Sequence, residues 1–424
     1  MNNYSFEGYP SALPLYCEMQ IVESKIKIYS GLFSLKSGNK QGIQINGEVF
    51  YSLEGDIKLE FRGVGTDFRP EWIEKGIQII TQTGLEGEGI ITLLSDSKSG
   101  EVTYWGELNR LFSQEVACTR WHWAYINVPS FFGDNVIRID QQKRKVCADR
   151  LTFTCGDGTT IIMEKAPDTN EKKPWQISHI CELSFQKGKA LNYSKVIHYI
   201  YAFTHFISFV VGRYHAPIFI QGDTPNTQSF QYHYNGYDCS RVGVLSWRPS
   251  HHDKDIIEIW PKFESIWNGL DRDKADILST ALHWYLEANM GSGKMEGAFI
   301  MAMTGIQMMW NVILDKKERK GNKQLQCLLN KMNYTPSFEP KKLIDTRNYL
   351  VHYDEENRKR YNELSWEQKF LLLDNALNIL ELVILFWLGY NGRYTDRTNT
   401  NKWTAASIKR VPWAAVPEAA EEES

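Results

Sequence analysis

The apolar residues change their period along this 424-residue chain near residue 255, and that change limits the fold more than any other feature. Up to about residue 190, short runs rich in Val, Ile, Thr and aromatics alternate with Gly and Asp turns: KIKIYSGLF, EVFYSLEGDIKLEF, GIQIITQTG, GIITLLSD, EVTYWGEL, NVIRID and RLTFTCGDGTTIIME. Runs of this kind are expected as strands, because a period of two puts alternate side chains on opposite faces of a sheet. Their close spacing, with Cys155-Gly156-Asp157-Gly158 placed like a hairpin turn, predicts an antiparallel sandwich or barrel. Beyond the polar His251-His252-Asp253-Lys254-Asp255, helical spacing takes over in five or six segments: 255–270, 271–290, 294–317, 322–333, 340–355 and 365–389. The fold class expected is therefore multidomain α+β, an antiparallel β-rich N-terminal region (sandwich or barrel) followed by an all-α helical bundle.

The domain organisation follows from the same pattern. Residues 1–190 form the β-rich region and residues 191–254 a connecting region. The connector holds a largely apolar helix over 192–212 that ends on Gly212, then strand-like runs at 216–222, 229–234 and 241–247. Residues 255–392 are the bundle, and 393–424 a polar and acidic tail whose last stretch, 411–424, with two prolines, is expected to be disordered.

Composition sets the outer limits of function. With 42% hydrophobic and 13% aromatic residues the chain can bury large cores. A formal charge of −3 means that nucleic-acid binding requires a local basic patch and not a globally basic surface. Seven cysteines without a C-x-x-C pair read as a reducing compartment, and the N-terminus shows no signal-peptide pattern, so a cytoplasmic location is expected. The apolar tract 370–389 approaches membrane-spanning length but contains Asp374, Asn375, Asn378 and Glu381, so a buried bundle or interface helix is expected and no membrane association.

Several possible motifs lead nowhere. Gly291-Ser292-Gly293-Lys294 resembles the end of a P-loop, but Ala288 and Met295 occupy positions that need Gly and Ser or Thr. His251 and His252 lack further zinc-ligand spacing, so they read as part of a polar linker. Trp121-His122-Trp123 suits base or sugar stacking in type, yet fits structural aromatics of a β-domain better. No metal and no cofactor is expected.

The segment Arg347-Asn348-Tyr349-Leu350-Val351-His352 stands out for its chemistry. On a helical wheel at about 100° per residue, Leu343, Ile344, Leu350 and Val351 define a buried arc, with Arg347 at about 40°, inside it. A guanidinium there needs a partner or a polar cavity, since an unpaired buried charge costs several kcal/mol. Asn348 and His352 fall at the rim at about 140° and 180°, four residues apart, close enough for the amide to orient the imidazole. A structural arginine paired with a core carboxylate, beside a surface histidine near a helix C-terminus, satisfies the same letters. Arg347 and His352 lie about 140° apart, so they do not share a face unless the helix ends or distorts at the histidine, or a second copy completes the site.

R-N-x-x-x-H on the penultimate long helix of a bundle resembles the R-x4-6-H signature of HEPN-domain ribonucleases, including the polar Asn after Arg. The preceding pair ALHWYLEAN and MEGAFIMAMTGIQMMW resembles the helices upstream of that motif, with Glu296 at the family's acidic position and Gln307 where many relatives carry a second Glu. A long β-rich region followed by this bundle resembles the ApeA-like anti-phage HEPN proteins. The resemblance implies a metal-independent RNA endonuclease with Arg347, His352 and Asn348 as catalytic residues and Glu296 as a supporting one. It implies 2′,3′-cyclic phosphate and 5′-hydroxyl products, a homodimer or higher homo-oligomer, and an abortive-infection role in which the N-terminal region senses a phage-derived trigger.

Eight basic residues lie in 316–342 against Glu318 and Glu339. Lys316, Lys317, Arg319, Lys320, Lys323, Lys341 and Lys342 are thus candidates for RNA contact, unless the stretch is merely a solvated loop face. Two further readings remain open. One keeps the bundle as a non-catalytic nucleotide- or RNA-binding dimerisation module, and the other makes the β-region a ligand-binding module with a structural helical domain.

Overall fold

The computed structural model describes residues 9–13, 21–22, 24–38, 41–54, 56–96, 100–140, 143–166, 175–186, 189–224, 228–233, 235–238, 244–291, 293–315, 323–352, 354–399 and 405–414. The chain divides into two compact units, residues 1–204 with 214–242 and residues 205–213 with 243–424.

The first unit is antiparallel β. After β1 (Ile21–Val22) come β2 (Lys25–Lys36), β3 (Ile43–Ser52), β4 (Asp56–Gly65), β5 (Gly76–Thr81), β6 (Glu86–Asp96) and β7 (Val102–Phe112). The order β4-β3-β2-β5-β6-β7 closes on itself because β4 also pairs with β7, from Leu59 opposite Leu108 to Gly65 opposite Val102, which makes a six-stranded barrel. The period of two fills it: on β4, Ile57, Leu59 and Phe61 are buried while Lys58, Glu60 and Arg62 stay at least partly exposed. Closure needs a bare backbone at Gly106, where a Cβ would collide with the Ile90 carbonyl and the Phe61 ring.

Seven more strands extend this sheet. They are β8 (Arg120–Ile126), β9 (Asp134–Asp140), β10 (Lys143–Thr154), β11 (Thr160–Lys165), β12 (Ile177–Ser184), and, after helix α1 (Tyr193–Val211), β13 (Ile218–Asp223) and β14 (Gln228–His233). The path runs from β7 through β14, β13, β8, β12, β11 and β10 to β9, and a short β15 (Asn235–Asp238) flanks β4. The expected turn joins β10 to β11: the Cys155 N–H donates to the Thr159 carbonyl at 2.8 Å, and Gly158 takes φ 81°. Helix α1 lays Phe203 against Trp123 and Phe153, with ring centroids 6.0 and 5.0 Å away, and ends at a left-handed Gly212 (φ 81°) as expected. The strand expected at 241–247 is not formed over its described part. There Ser246 and the Trp247 indole donate to the Val210 and Phe209 carbonyls at 2.8 and 3.1 Å, closing the end of α1 instead of joining a ladder.

The second unit is helical: α2 (Trp260–Trp267), α3 (Arg272–Asn289), α4 (Lys294–Ile313), α5 (Gln324–Lys331), α6 (Lys341–Val351), α7 (Glu355–Glu363) and α8 (Trp366–Trp387). Asp271 caps α3, accepting from the Lys274 N–H at 3.2 Å, and Ser365 with Gln368 forms a capping box on α8. Helix α7 escaped the periodicity reading because Tyr361 is its sole buried residue and leaves no apolar stripe; the Asp354 carboxylate starts it by accepting from the Asn357 N–H at 2.8 Å. Helix α8 packs on α4 at Gly305, where a Cβ would meet Leu380 Cδ2 at 2.9 Å. Among the described residues it is the one helix long and apolar enough to cross a membrane, yet 67% of its apolar window is buried inside the protein, as befits a core helix.

Of the polar and acidic tail expected over 393–424, residues 393–399 and 405–414 are described, and they pack as a short hairpin. Of the stretch 411–424, for which disorder is expected, only 411–414 are described. Strands β16 (Arg393–Thr395) and β17 (Ile408–Arg410) pair, and the Trp413 indole donates to the Tyr390 carbonyl at 2.7 Å. Between the strands, Arg397 reaches the buried polar groups of α8: its Nε and Nη2 donate to Glu381 Oε2 and Oε1 at 2.8 and 2.7 Å. Its Nη2 also reaches Asn289 Oδ1 at 2.7 Å and the Leu245 carbonyl at 2.6 Å. The polar letters of the tail are the partners that α8 requires. Residues 415–424 lie outside the described residues.

Candidate functional site

Helix α6 is short because Pro340 opens it and His352 leaves helical geometry at φ −96°, ψ 87°. The His352 N–H still reaches the Asn348 carbonyl at 2.9 Å, and the His352 carbonyl accepts from Asn357 Nδ2 at 3.0 Å, which ties the helix end to the cap of α7. Leu343 and Thr346 are the buried anchors of α6, whereas Ile344 and Leu350 are half-buried and Val351 is 43% exposed. The buried arc is therefore rotated from the expected one. Arg347 sits half-buried at its edge and not inside it, because α6 meets the bundle through its Leu343–Thr346 side and its last turn runs out into solvent.

Beside that edge opens a cleft of about 550 Å³. Met303, Gln307 and Trp310 line it from α4, spaced four and three residues apart so that they fall on one stripe. Lys323, at the N-cap of α5, lines it from the second side. Helix α6 contributes Lys341, Asp345, Arg347 and Asn348. The Arg347 guanidinium donates to Asn348 Oδ1 at 3.3 Å, and among the described residues no carboxylate lies within ion-pair distance of it. Among the described residues, the core carboxylate that a purely structural arginine would need is missing there.

The expected hydrogen bond between the Asn348 amide and the His352 imidazole is not formed. The Asn348 oxygen serves Arg347, and residues 348 and 352 are joined through the main chain. The imidazole is exposed and has no hydrogen bond among the described residues. Lys341, Asp345, Asn348 and His352 nonetheless share one stripe of α6, at successive spacings of four, three and four. Arg347 lies off this stripe, and because α6 ends at Val351 the ideal-helix angle of about 140° does not carry over to His352.

Electrostatics around the cleft run against local helix preference. Lys341 and Lys342 are exposed in the first turn of α6, where the helix dipole disfavours cations by about 0.3–1 kcal/mol each, and no acidic residue stands in that turn. Of the other basic candidates, Lys316, Lys317, Arg319 and Lys320 lie outside the described residues, and Lys323 is exposed at the cleft. Glu296 is exposed in the first turn of α4 and accepts from the Tyr361 hydroxyl at 3.1 Å. Burial, and after it the Glu296 carboxylate, pushes the Tyr361 hydroxyl above its ordinary value, so the pair joins α4 to α7.

Elsewhere, Trp121, His122 and Trp123 are buried and form no stacking platform; His122 Nε2 lies 3.0 Å from Asp223 Oδ2. His252 Nδ1 lies 3.3 Å from Arg393 Nη1. Among the described residues no group of three or more His, Cys, Asp or Glu side chains converges as a metal site. Sequence reasoning missed Asp345, Met303 and Trp310 as cleft residues. The four-then-three spacing on α4 was the available signal, but it reads equally as core.

Two family models match the chain, the YopA central domain over residues 113–242 and the YopA C-terminal domain over residues 320–409. The first begins where the barrel strand β7 ends, and the second takes in α5 to α8 and the pair Glu381–Arg397. No curated protein and no solved structure matches.

Proposed function

We propose that this chain is a metal-independent RNA endonuclease with Arg347, Asn348 and His352 as its catalytic residues, acting in the cytoplasm as the effector of an anti-phage, abortive-infection response. The observation that carries the reading is the Arg347 guanidinium. It is half-buried, without a carboxylate among the described residues, and faces a cleft that also holds Lys323 and Lys341. Such a guanidinium is short of an anion, and a phosphodiester supplies one with bidentate geometry. The resemblance to HEPN ribonucleases and to ApeA-like proteins adds the reaction.

In that reaction the substrate 2′-hydroxyl attacks phosphorus, the bond to the 5′-oxygen breaks, and a 2′,3′-cyclic phosphate and a 5′-hydroxyl remain. Arg347 holds the non-bridging oxygens as charge develops on them. An imidazole takes the 2′-proton or delivers one to the leaving 5′-oxygen. Asn348 restrains Arg347 through its amide oxygen. The resemblance puts such a site across a symmetric interface, so the second group comes from a second copy and the active species is at least a dimer. Val351 at 43%, Trp366 at 66% and Leu371 at 52% exposure, on α6 and α8, offer apolar area for that contact. The β-rich unit acts as the regulator.

The test is incubation of wild type and of Arg347→Ala and His352→Ala variants with total cellular RNA, with fragment ends sequenced and mass measured by light scattering. New 5′-hydroxyl ends from wild type alone are expected. Cleavage retained in both variants sinks the reading, as does an active species that is strictly monomeric. Phosphate-dependent RNA binding without new ends favours the non-catalytic alternative.

A further inference from the structure

The cleft is larger than a phosphate group requires and lies in the range of pockets that enclose whole small molecules, which start at about 300 Å³. It is also chemically divided. The arc that α6 gives to it is bounded by Arg347 on one side and Asp345, about 160° around the helix, on the other. A carboxylate is a poor neighbour for phosphate, and the Asp345 carboxylate has no ion pair or hydrogen bond among the described residues. The Gln307 amide, exposed on the facing helix, likewise has no hydrogen-bond partner among them. On α6 the half-buried Ile344 lies between these ends, and the almost fully buried Met303 and Trp310 add apolar lining to the cleft.

We infer that the cleft is a guanine-selective nucleotide subsite, in which Arg347 and the lysines hold phosphate while Asp345 and Gln307 read the base. The inference rests on the nuclease reading for its biological meaning, but its chemistry stands on the cleft. On its Watson–Crick edge guanine presents two adjacent donors, N1–H and N2–H, that match a carboxylate, and beside them an O6 acceptor for an amide N–H. Adenine and cytosine each present a single amino donor next to a ring acceptor there, so the same carboxylate would face a lone pair and repel it. Single-stranded RNA exposes this edge, and the subsite would place the bond to be cut next to a guanosine.

Titration calorimetry of the full-length protein with GMP, AMP, CMP and inorganic phosphate tests this directly. GMP is expected to bind at least about 10-fold more tightly than AMP or CMP, the discrimination expected of a bidentate base contact. Asp345→Asn and Gln307→Ala should each erase most of that margin without weakening the binding of inorganic phosphate. Ile344→Trp, which fills the cleft, should abolish nucleotide binding while circular dichroism shows the fold retained. Equal binding of the three nucleotides, no GMP binding, or a GMP preference that survives Asp345→Asn overturns the subsite. Sequenced cleavage ends separate the two claims. Cuts without guanosine beside them overturn the subsite alone, whereas a GMP preference in a protein that cuts no RNA overturns the nuclease reading alone.

Discussion

Two arginines of the helical unit, fifty positions apart, show opposite ways of placing a charge. Arg397 is buried with every neighbour it needs: both Glu381 oxygens, the Asn289 amide oxygen and a main-chain carbonyl. Burial works against its charged form, but Glu381 outweighs that and holds its pKa above the ordinary value. The same carboxylate accepts from Tyr285 at 2.7 Å. Among the described residues Arg347 has one long hydrogen bond, to the amide beside it, and an open cleft. A charge that serves the fold is surrounded by its counter-groups, whereas a charge kept for a ligand leaves a place for one.

The largest effect that can break this comparison is on activity. Arg347→Ala and His352→Ala should each lower RNA cleavage by about 10²–10⁴-fold, read as initial rates on total RNA, with thermal stability changed by no more than about 1 kcal/mol. A stability loss as large as that of a core mutation would place Arg347 with the structural arginines. Arg397→Ala should do the reverse. It leaves Glu381 buried without its counter-charge and should cost about 3–5 kcal/mol in denaturant unfolding of the helical unit.

The next effect concerns His205, which is mostly buried and stacked on Trp267 at 4.4 Å. Burial depresses its pKa to about 4 from the usual 6.5. The folded protein therefore refuses a proton that the unfolded chain accepts below pH 6.5. Stability should fall as pH drops from 6.5 and the loss should be complete near 4, at a cost of up to about 3 kcal/mol. His205→Phe should flatten that slope in urea titrations run at several pH values, and an unchanged slope would assign it to other groups.

Smaller effects sharpen the picture. Tyr361→Phe removes the hydrogen bond to Glu296 and should cost about 1 kcal/mol without touching phosphate binding. Lys341→Ala should leave stability almost unaltered but reduce the salt dependence of RNA binding by about 0.7 in the log–log slope, the share of one phosphate contact on a single strand.

Much of the architecture was legible because it depends on local periods. The barrel strands, the turn at Cys155–Gly158, the left-handed end of α1 and the starts of α3 and α8 each follow from residues within a few positions of one another. The candidate site was legible in part. The stripe holding Asn348 and His352 is a local property of α6, but its relation to the core was misjudged, since Val351 turned out exposed and Thr346 buried. Helix α7 and the ordered hairpin after residue 393 were missed, the one for want of an apolar stripe and the other because its polar residues are explained solely by distant partners.

The sequence by itself determined the change from strand to helix near residue 255, the class of both units, and an Arg and an Asn on one short helix with a His just past its end. Tertiary structure alone decided that β4 closes on β7, which side of α6 faces the bundle, that Asp345 and Gln307 share a cleft, and that Arg397 meets Asn289 across 108 positions. The division has a physical cause. Backbone geometry imposes its periods residue by residue, so they are written in neighbouring letters. The partner of a charge is set by close packing of segments far apart in the chain, and no local pattern records it.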